Sequence, residues 1–266
     1  MNLLQNKTAL VFGLANERSI AWGIIQAMQR AGARLGVSYA GAALEKHVRP
    51  LVESIGCDFV EPCDLTRDEE IAALVEKVAR HFGQIDILVH SVAFANREDL
   101  SGPYYRTSRA GFHLALDVSV YSFVALAGAF QPLLRPGGAL LCLTAYGGEK
   151  VLPSYNVMGV AKAALEASTR YLACDFGPQG VRVNAISAGP IRTLAAAGIR
   201  GFRDLYRYFP EIVPLRAQVT IEDIGNAAVF LCSEMAAHIT GEVLYVDCGY
   251  HILGAPILVG NAAETE

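Results

Sequence analysis

With 266 residues, 53% of them hydrophobic, and a net charge of −4 without any basic cluster, the chain is a poor match for a nucleic-acid binder. No uninterrupted apolar run approaches the ~20 residues that span a membrane, and the opening MNLLQNKTALVF lacks the basic, apolar and cleavage regions of a signal peptide. No Pro/Ser-rich linker divides the chain, so a single α/β domain is expected rather than two small ones.

Residues 7–12 (KTALVF) read as a short apolar strand that runs through Gly13 into LANERSIAWG and an amphipathic helix. The helix should begin near Ser19, where free backbone N–H groups and the positive end of the helix dipole would meet a pyrophosphate. Gly13 permits the turn, the Ser19 hydroxyl adds a donor, and Gly23 allows close approach to the strand. The Gly-x-Gly-x-x-Gly pattern is absent, so a plain strand–helix connection stays open beside a cofactor site. The next strand, 34–39 (RLGVSY), leads to Ala40 and Gly41, where a dinucleotide fold usually keeps an acid for the ribose 2′-hydroxyl. Neither an acid nor an arginine follows Tyr39, which leaves NADH and NADPH both open. A helix over 43–55 precedes a third strand, 58–61, and then Cys63-Asp64-Leu65. Asp64 either hydrogen-bonds an adenine amine or caps the helix that follows at 68–82.

Strand 85–90 (IDILVH) is apolar, as a central parallel strand should be, and opens into the small residues SVAFAN. A long helix is expected over 109–134, a fifth strand over 139–144, a sixth over 181–187, a helix over 221–233 and a last strand over 242–246. This alternation specifies a doubly wound, mostly parallel sheet of seven strands. Right-handed crossovers bring the ends at Gly13, Asp64, Ser91, Thr144 and Ser187 to one edge, which suits a nicotinamide cofactor. The six cysteines (57, 63, 142, 174, 232 and 248) form no C-x-x-C pair and read as reduced core thiols of a cytoplasmic protein. The six histidines have no ligand spacing, so no metal is expected.

The chemistry is expected in PSYNVMGVAKAALEAS, 153–168. Tyr155 and Lys162 are seven positions apart, two helical turns, so a helix starting after Pro153 puts both on one side. An ammonium beside a phenol stabilises the phenolate and lowers its pKa, which makes Tyr155 a usable proton donor, and the lysine has donors for a bound ribose. An amphipathic helix that carries one Tyr and one Lys for no chemical reason gives the same pattern.

Five segments carry a family resemblance: GLANERSIAWG (13–23), HSVAFA (90–95), YNVMGVAK (155–162), RVNAISAGPIRTLA (182–195) and TGEVLYVDCGY (240–250). Through them the chain resembles the short-chain dehydrogenase/reductase superfamily and, within it, the bacterial enoyl-acyl-carrier-protein reductases. The wider superfamily sets its tyrosine four residues before the lysine, where this chain has Met158. The displaced Tyr155, with serine in place of the second glycine of the turn, marks the enoyl-reductase branch. The resemblance implies a Rossmann-type fold and hydride delivery from NADH, with NADPH not excluded, to the β-carbon of a trans-2-enoyl thioester on acyl carrier protein. It also implies a homotetramer.

By position, the resemblance assigns Gly13, Ser19 and Ile20 to the pyrophosphate and adjoining ribose, Asp64 and Leu65 to the adenine, and Val92 to the adenine-side ribose. Lys162 falls to the nicotinamide ribose, while Ile191, Arg192, Thr193, Leu194 and Ala195 cover the nicotinamide amide and phosphates. Ala95 and Tyr155 lie on the substrate side, with Tyr155 hydrogen-bonding the thioester carbonyl. Ala40 replaces a glutamine often found there, so that contact is lost. Relatives also carry a tyrosine directly after the residue that ends the fifth strand. Here Ala145 stands in that place, followed by Tyr146, which leaves an altered acyl pocket, an engineered substitution and reduced activity open.

Segment 192–216, RTLAAAGIRGFRDLYRYFPEIVPLR, is too apolar for a free loop and too interrupted by Gly198 and Gly201 for a firm helix. It reads as a helical substrate-binding lid, its aromatics and Ile199 lining an acyl tunnel and Arg200, Arg203 and Arg207 facing outward to an acidic carrier. A specialised reductase of a secondary pathway and a non-catalytic, cofactor-binding regulator are the rival readings.

Overall fold

The computed structural model describes residues 2–255. Its strands β1 (Thr8–Phe12), β2 (Arg34–Tyr39), β3 (Phe59–Pro62), β4 (Ile85–His90), β5 (Leu134–Thr144), β6 (Arg182–Ala188) and β7 (Val243–Val246) form one sheet. The order is β3-β2-β1-β4-β5-β6-β7, and every pairing is parallel. The chain winds outward from β1 to β3, then restarts at β4 on the other side of β1. The carboxyl ends of β1 and β4 therefore flank the switch point, where open α/β sheets bind ligands.

Side-chain alternation on the strands separates two cores. On β5, Ala139, Leu141 and Leu143 join one cluster, and Leu140 and Cys142 the other. The first core is closed by α1 (Ile20–Arg30), α2 (Glu45–Glu53) and α8 (Ile221–Cys232), the second by α3 (Asp68–Phe82) and α6 (Asn156–Phe176). Between α3 and α6 in sequence lie α4 (Arg109–Leu116) and α5 (Ser122–Phe130), joined by a π-turn over Asp117–Tyr121. By length and apolar content alone, Arg109–Leu133 would reach across a bilayer. Its Phe123, Leu126, Ala127 and Phe130 are instead fully buried against the sheet. Phe123, Leu126 and Phe130 each contribute about 1.5–3 kcal/mol through burial.

The sequence expectations differ from the structure in instructive places. Leu134 begins β5 instead of ending the long helix: it pairs with Ile85 across a register shift, and Pro136, Gly137 and Gly138 are carried inside the strand. The interrupted segment after Arg192 contains a helix, α7 (Phe202–Ile212), preceded by a single 3-10 turn at Ala196–Gly198. Gly23 does not serve the strand. A Cβ there would overlap the backbone carbonyl of Ile221, and one at Gly225 would overlap the carbonyl of Gly23, so these glycines set the close crossing of α1 and α8. Four cysteines are buried, but Cys174 is exposed and Cys248 half-buried.

Candidate active site

Gly13 follows β1 with φ 96, and its N–H donates to the Ser38 carbonyl at 3.1 Å. Any side chain at this position would overlap the Ser91 carbonyl and stand 3.1 Å from Val92 Cγ2, so the ends of β1 and β4 touch through bare backbone. Ser19 precedes α1 without capping it. Its hydroxyl oxygen accepts from the N–H groups of Ala15 (3.1 Å) and Asn16 (3.0 Å), so it organises the turn, while its O–H, 3.5 Å from Asn16 Oδ1, stays the donor expected from sequence. The α1 terminus, beginning at Ile20, thus receives no bond from the Ser19 side chain and suits an anion. A glycine cradle beside such a helix end fits a dinucleotide pyrophosphate.

At the adenine side, Asp64 Oδ1 accepts from Thr66 N–H (3.0 Å) and Oγ (2.8 Å). Arg67, not Asp64, precedes α3, which rules out the helix-capping alternative. Leu65 is buried in the second core. Near the end of β2 the structure brings in a residue the sequence concealed. Arg49 of α2 lies close to Tyr39, but Glu45 holds it through two contacts of 3.0 and 2.7 Å. Burial, then Glu45, pushes the Tyr39 phenol above its ordinary pKa.

Lys162, on α6, is only 6% exposed, and its ammonium donates to the Leu143 carbonyl of β5 at 2.7 Å. Burial lowers its pKa to about 8, with Cys142 and Glu166 acting in the opposite direction. Tyr155 stands directly before α6, half-buried, its ring packed over Gly147 so tightly that no side chain fits there. Its pKa is raised, first by burial and then by Glu166. This reverses the expected lowering by Lys162, because both groups lose solvent and the nearby carboxylate opposes phenolate. Glu166 accepts from Thr144 Oγ1 at 2.6 Å, and burial raises its pKa. His90, at the end of β4, is fully buried, and its pKa falls to about 3, first through burial and then through Lys162. The phenol therefore stays protonated through the neutral range and can donate a hydrogen bond.

Glu166 was missed in the sequence, although it lies one helical turn beyond Lys162. Ala145 ends the expected place for a second phenol. Tyr146 does not substitute, for its hydroxyl donates to the His251 carbonyl at 3.1 Å and its ring meets Tyr245 and Tyr250 edge-on. Downstream, Ile191 is buried, while Arg192, Leu194 and Ala195 are exposed and Thr193 half-buried. The Thr193 hydroxyl accepts from Ala196 N–H at 3.1 Å, and the Arg192 guanidinium covers the Tyr206 ring at 4.6 Å. Ala95 is half-buried against the second core.

The sequence profile described as enoyl-(acyl carrier protein) reductase matches residues 13–251. An enoyl-acyl-carrier-protein reductase (NADH) of Nostoc sp. is 50% identical over 254 residues, covering 94% of this chain and 98% of that protein. The crystal structure of the Aquifex aeolicus enoyl-acyl-carrier-protein reductase (NADH) superposes with a TM-score of 0.93 at 50% identity, covering 95% of this chain and 99% of that one. The Bacillus cereus reductase, solved with NADP+ and indole naphthyridinone, gives 0.94 at 50% identity over 96% of this chain and all (100%) of that one. Fold, relatives and profile agree, and the chain belongs to the enoyl-(acyl carrier protein) reductase family.

Proposed function

We propose that this protein reduces the carbon–carbon double bond of trans-2-enoyl thioesters carried on acyl carrier protein, with NADH as reductant. The observation that carries the reading is the buried Lys162, tied to the Leu143 carbonyl near the end of β5 beside β4, on the helix that Tyr155 directly precedes. Gly13, Ser19 and Ile20 would hold the pyrophosphate, with Asp64, Leu65 and Val92 around the adenosine and 191–195 over the nicotinamide. A bound reduced nicotinamide supplies the hydride. Tyr155 donates a hydrogen bond to the thioester carbonyl and stabilises the negative charge that forms on it. Lys162 hydrogen-bonds the ribose, and its short bond to Leu143 fixes it on β5. Purified protein should oxidise NADH only when crotonyl thioester is present. Tyr155→Phe should lower kcat about 100-fold while leaving NADH affinity nearly intact. Unchanged turnover in that variant removes Tyr155 from the chemistry.

The segment 192–216 is read as the substrate lid of a single catalytic domain. The exposed Arg200, Arg203 and Arg207 support an acidic carrier as partner. Phe209 is excluded from any tunnel lining because it is fully buried in the first core. Exposed Tyr121 and Tyr171 on α5's flank and α6 support a homotetramer. Residues 256–260 of the apolar run that also motivated that assembly lie outside the described residues. A cytoplasmic location accords with buried free thiols. Light scattering that returned a monomer mass would refute the assembly. Ala145, with Tyr146 turned towards His251, favours one variation on the main reading, an acyl pocket of altered shape. Crotonyl, octenoyl and dodecenoyl thioesters compared under one set of conditions test it through the ratio of their kcat/KM values.

A further inference from the structure

Tyr155 is flanked by two non-glycine residues with left-handed backbone, Ser154 at φ 61 and Asn156 at φ 41. Strain of this kind persists only where the surroundings enforce it, and it concentrates at working sites. At Asn156 the enforcing contacts are visible. Its Nδ2 donates to the carbonyl of Gly102 at 3.1 Å and to that of Asp99 at 3.4 Å.

Those carbonyls belong to the segment 94–102, which includes Ala95 and the half-exposed Phe94. Asp99 is itself buried and anchors the segment to the start of α4. Its Oδ1 accepts from Ser108 N–H at 3.0 Å, and Oδ2 accepts from Asn96 Nδ2 at 3.3 Å. At the other end, Ser119 of the π-turn accepts from Phe94 N–H at 3.1 Å. The segment is therefore fastened at Phe94 to the π-turn and at Asp99–Gly102 to the residue directly after Tyr155.

We propose that Asn156 is a positioning residue for the reduction: its amide locks the turn bearing Tyr155 to the 94–102 wall, and so fixes the phenol relative to the thioester that the wall holds. This rests on the proposed role of Tyr155 as the hydrogen-bond donor. Asparagine is suited to the place on two counts, since its side chain supplies the N–H donors and it tolerates left-handed backbone better than most residues.

Two variants preserve that backbone while removing the donors. Asn156→Asp keeps size and shape, and Asn156→Gly keeps only the freedom at φ. Both are measured with NADH and crotonyl thioester, with NADH affinity taken separately by fluorescence titration, and Asn156→Gly is repeated in a Tyr155→Phe background. We expect both single variants to lose about tenfold in kcat/KM at unchanged NADH affinity, since a misplacement of about 1 Å costs one to two decades. Without the phenol, Asn156→Gly should cost less than about threefold, because residues that act as a unit are not additive. Wild-type activity in Asn156→Asp, a parallel loss of NADH affinity, or the same tenfold loss in the Tyr155→Phe background would each overturn the proposal. Full turnover in Tyr155→Phe alone would remove the reading beneath it, and the proposal with it. A normal Tyr155→Phe loss followed by an additive Asn156→Gly loss would remove the proposal only.

Discussion

Replacing Lys162 by methionine should make the cofactor-free protein more stable at pH 7 and lose that advantage by pH 10. Burial displaces the lysine from its ordinary value of 10.5 to about 8. At pH 7 the ammonium is charged both folded and unfolded, so the folded state carries the whole desolvation penalty. That penalty is about 3 kcal/mol, from about 2.5 pK units at about 1.36 kcal/mol each. As pH rises through 8 towards 10.5, the folded chain releases a proton that the unfolded chain still holds. Stability therefore increases with pH in this window, and at pH 10 less than about 1 kcal/mol of the penalty remains. Methionine removes the penalty but also the 2.7 Å bond to the Leu143 carbonyl, whose net worth is about 1 kcal/mol. The variant should thus be about 2 kcal/mol more stable at pH 7 and about equal to wild type at pH 10. Urea unfolding at fixed protein concentration measures this, with fluorescence from Trp22, the single tryptophan and 7% exposed, as the probe. Groups that titrate in both proteins cancel in the difference. A difference that stays constant from pH 7 to pH 10, or a variant less stable at pH 7, would refute the account of Lys162 as a charge held against desolvation.

Three further outcomes are expected. Gly23→Ala should cost more than about 2 kcal/mol, because the added methyl meets backbone rather than a movable side chain; a urea midpoint within error of wild type would contradict the described crossing of α1 and α8. NADH should be preferred to NADPH by a modest margin, since Glu45 occupies Arg49 near the end of β2; equal or better kcat/KM with NADPH would show that Arg49 is free to meet a 2′-phosphate. Amide exchange in 192–209 should be fast in the free protein and slow with cofactor and an enolate-mimicking inhibitor, while β6 changes little; equal protection of both in the free protein would make the segment an ordinary pair of packed helices.

The sheet was legible because its central strands are near-continuous apolar runs, and Gly13 and Ser19 were legible because they sit at a strand-to-helix turn. Helix α7 was not, since Gly198 and Gly201 precede it and its anchoring residue, Phe209, is recognisable only from the core it enters. Spacing singled out Tyr155 and Lys162, but the direction of the Tyr155 pKa was missed. Burial and the approach of Glu166 are tertiary quantities that spacing on one helix does not contain. Asn156 was passed over for the same reason: the carbonyls it ties lie 54 and 57 positions away. Gly23 was assigned the right property and the wrong partner, because α8 is about 200 residues downstream and only the order of the strands sets it beside α1.

The crossing of α1 and α8 also limits how the sequence can drift. In most helix pairs a larger residue on one side is accommodated by a smaller one opposite, so paired exchanges open a route between alternatives. No such route exists here, because the obstacle to a side chain at 23 is the backbone of Ile221 and the obstacle at 225 is the backbone of Gly23. A first substitution at either position leaves the second just as blocked. Only a change in the separation of the two helix axes would free both. That would displace α1, whose N-terminus is the proposed pyrophosphate site, against α8, which receives the chain from the 192–216 segment. The two glycines should therefore persist together through divergence, each held in place by main chain of the facing helix.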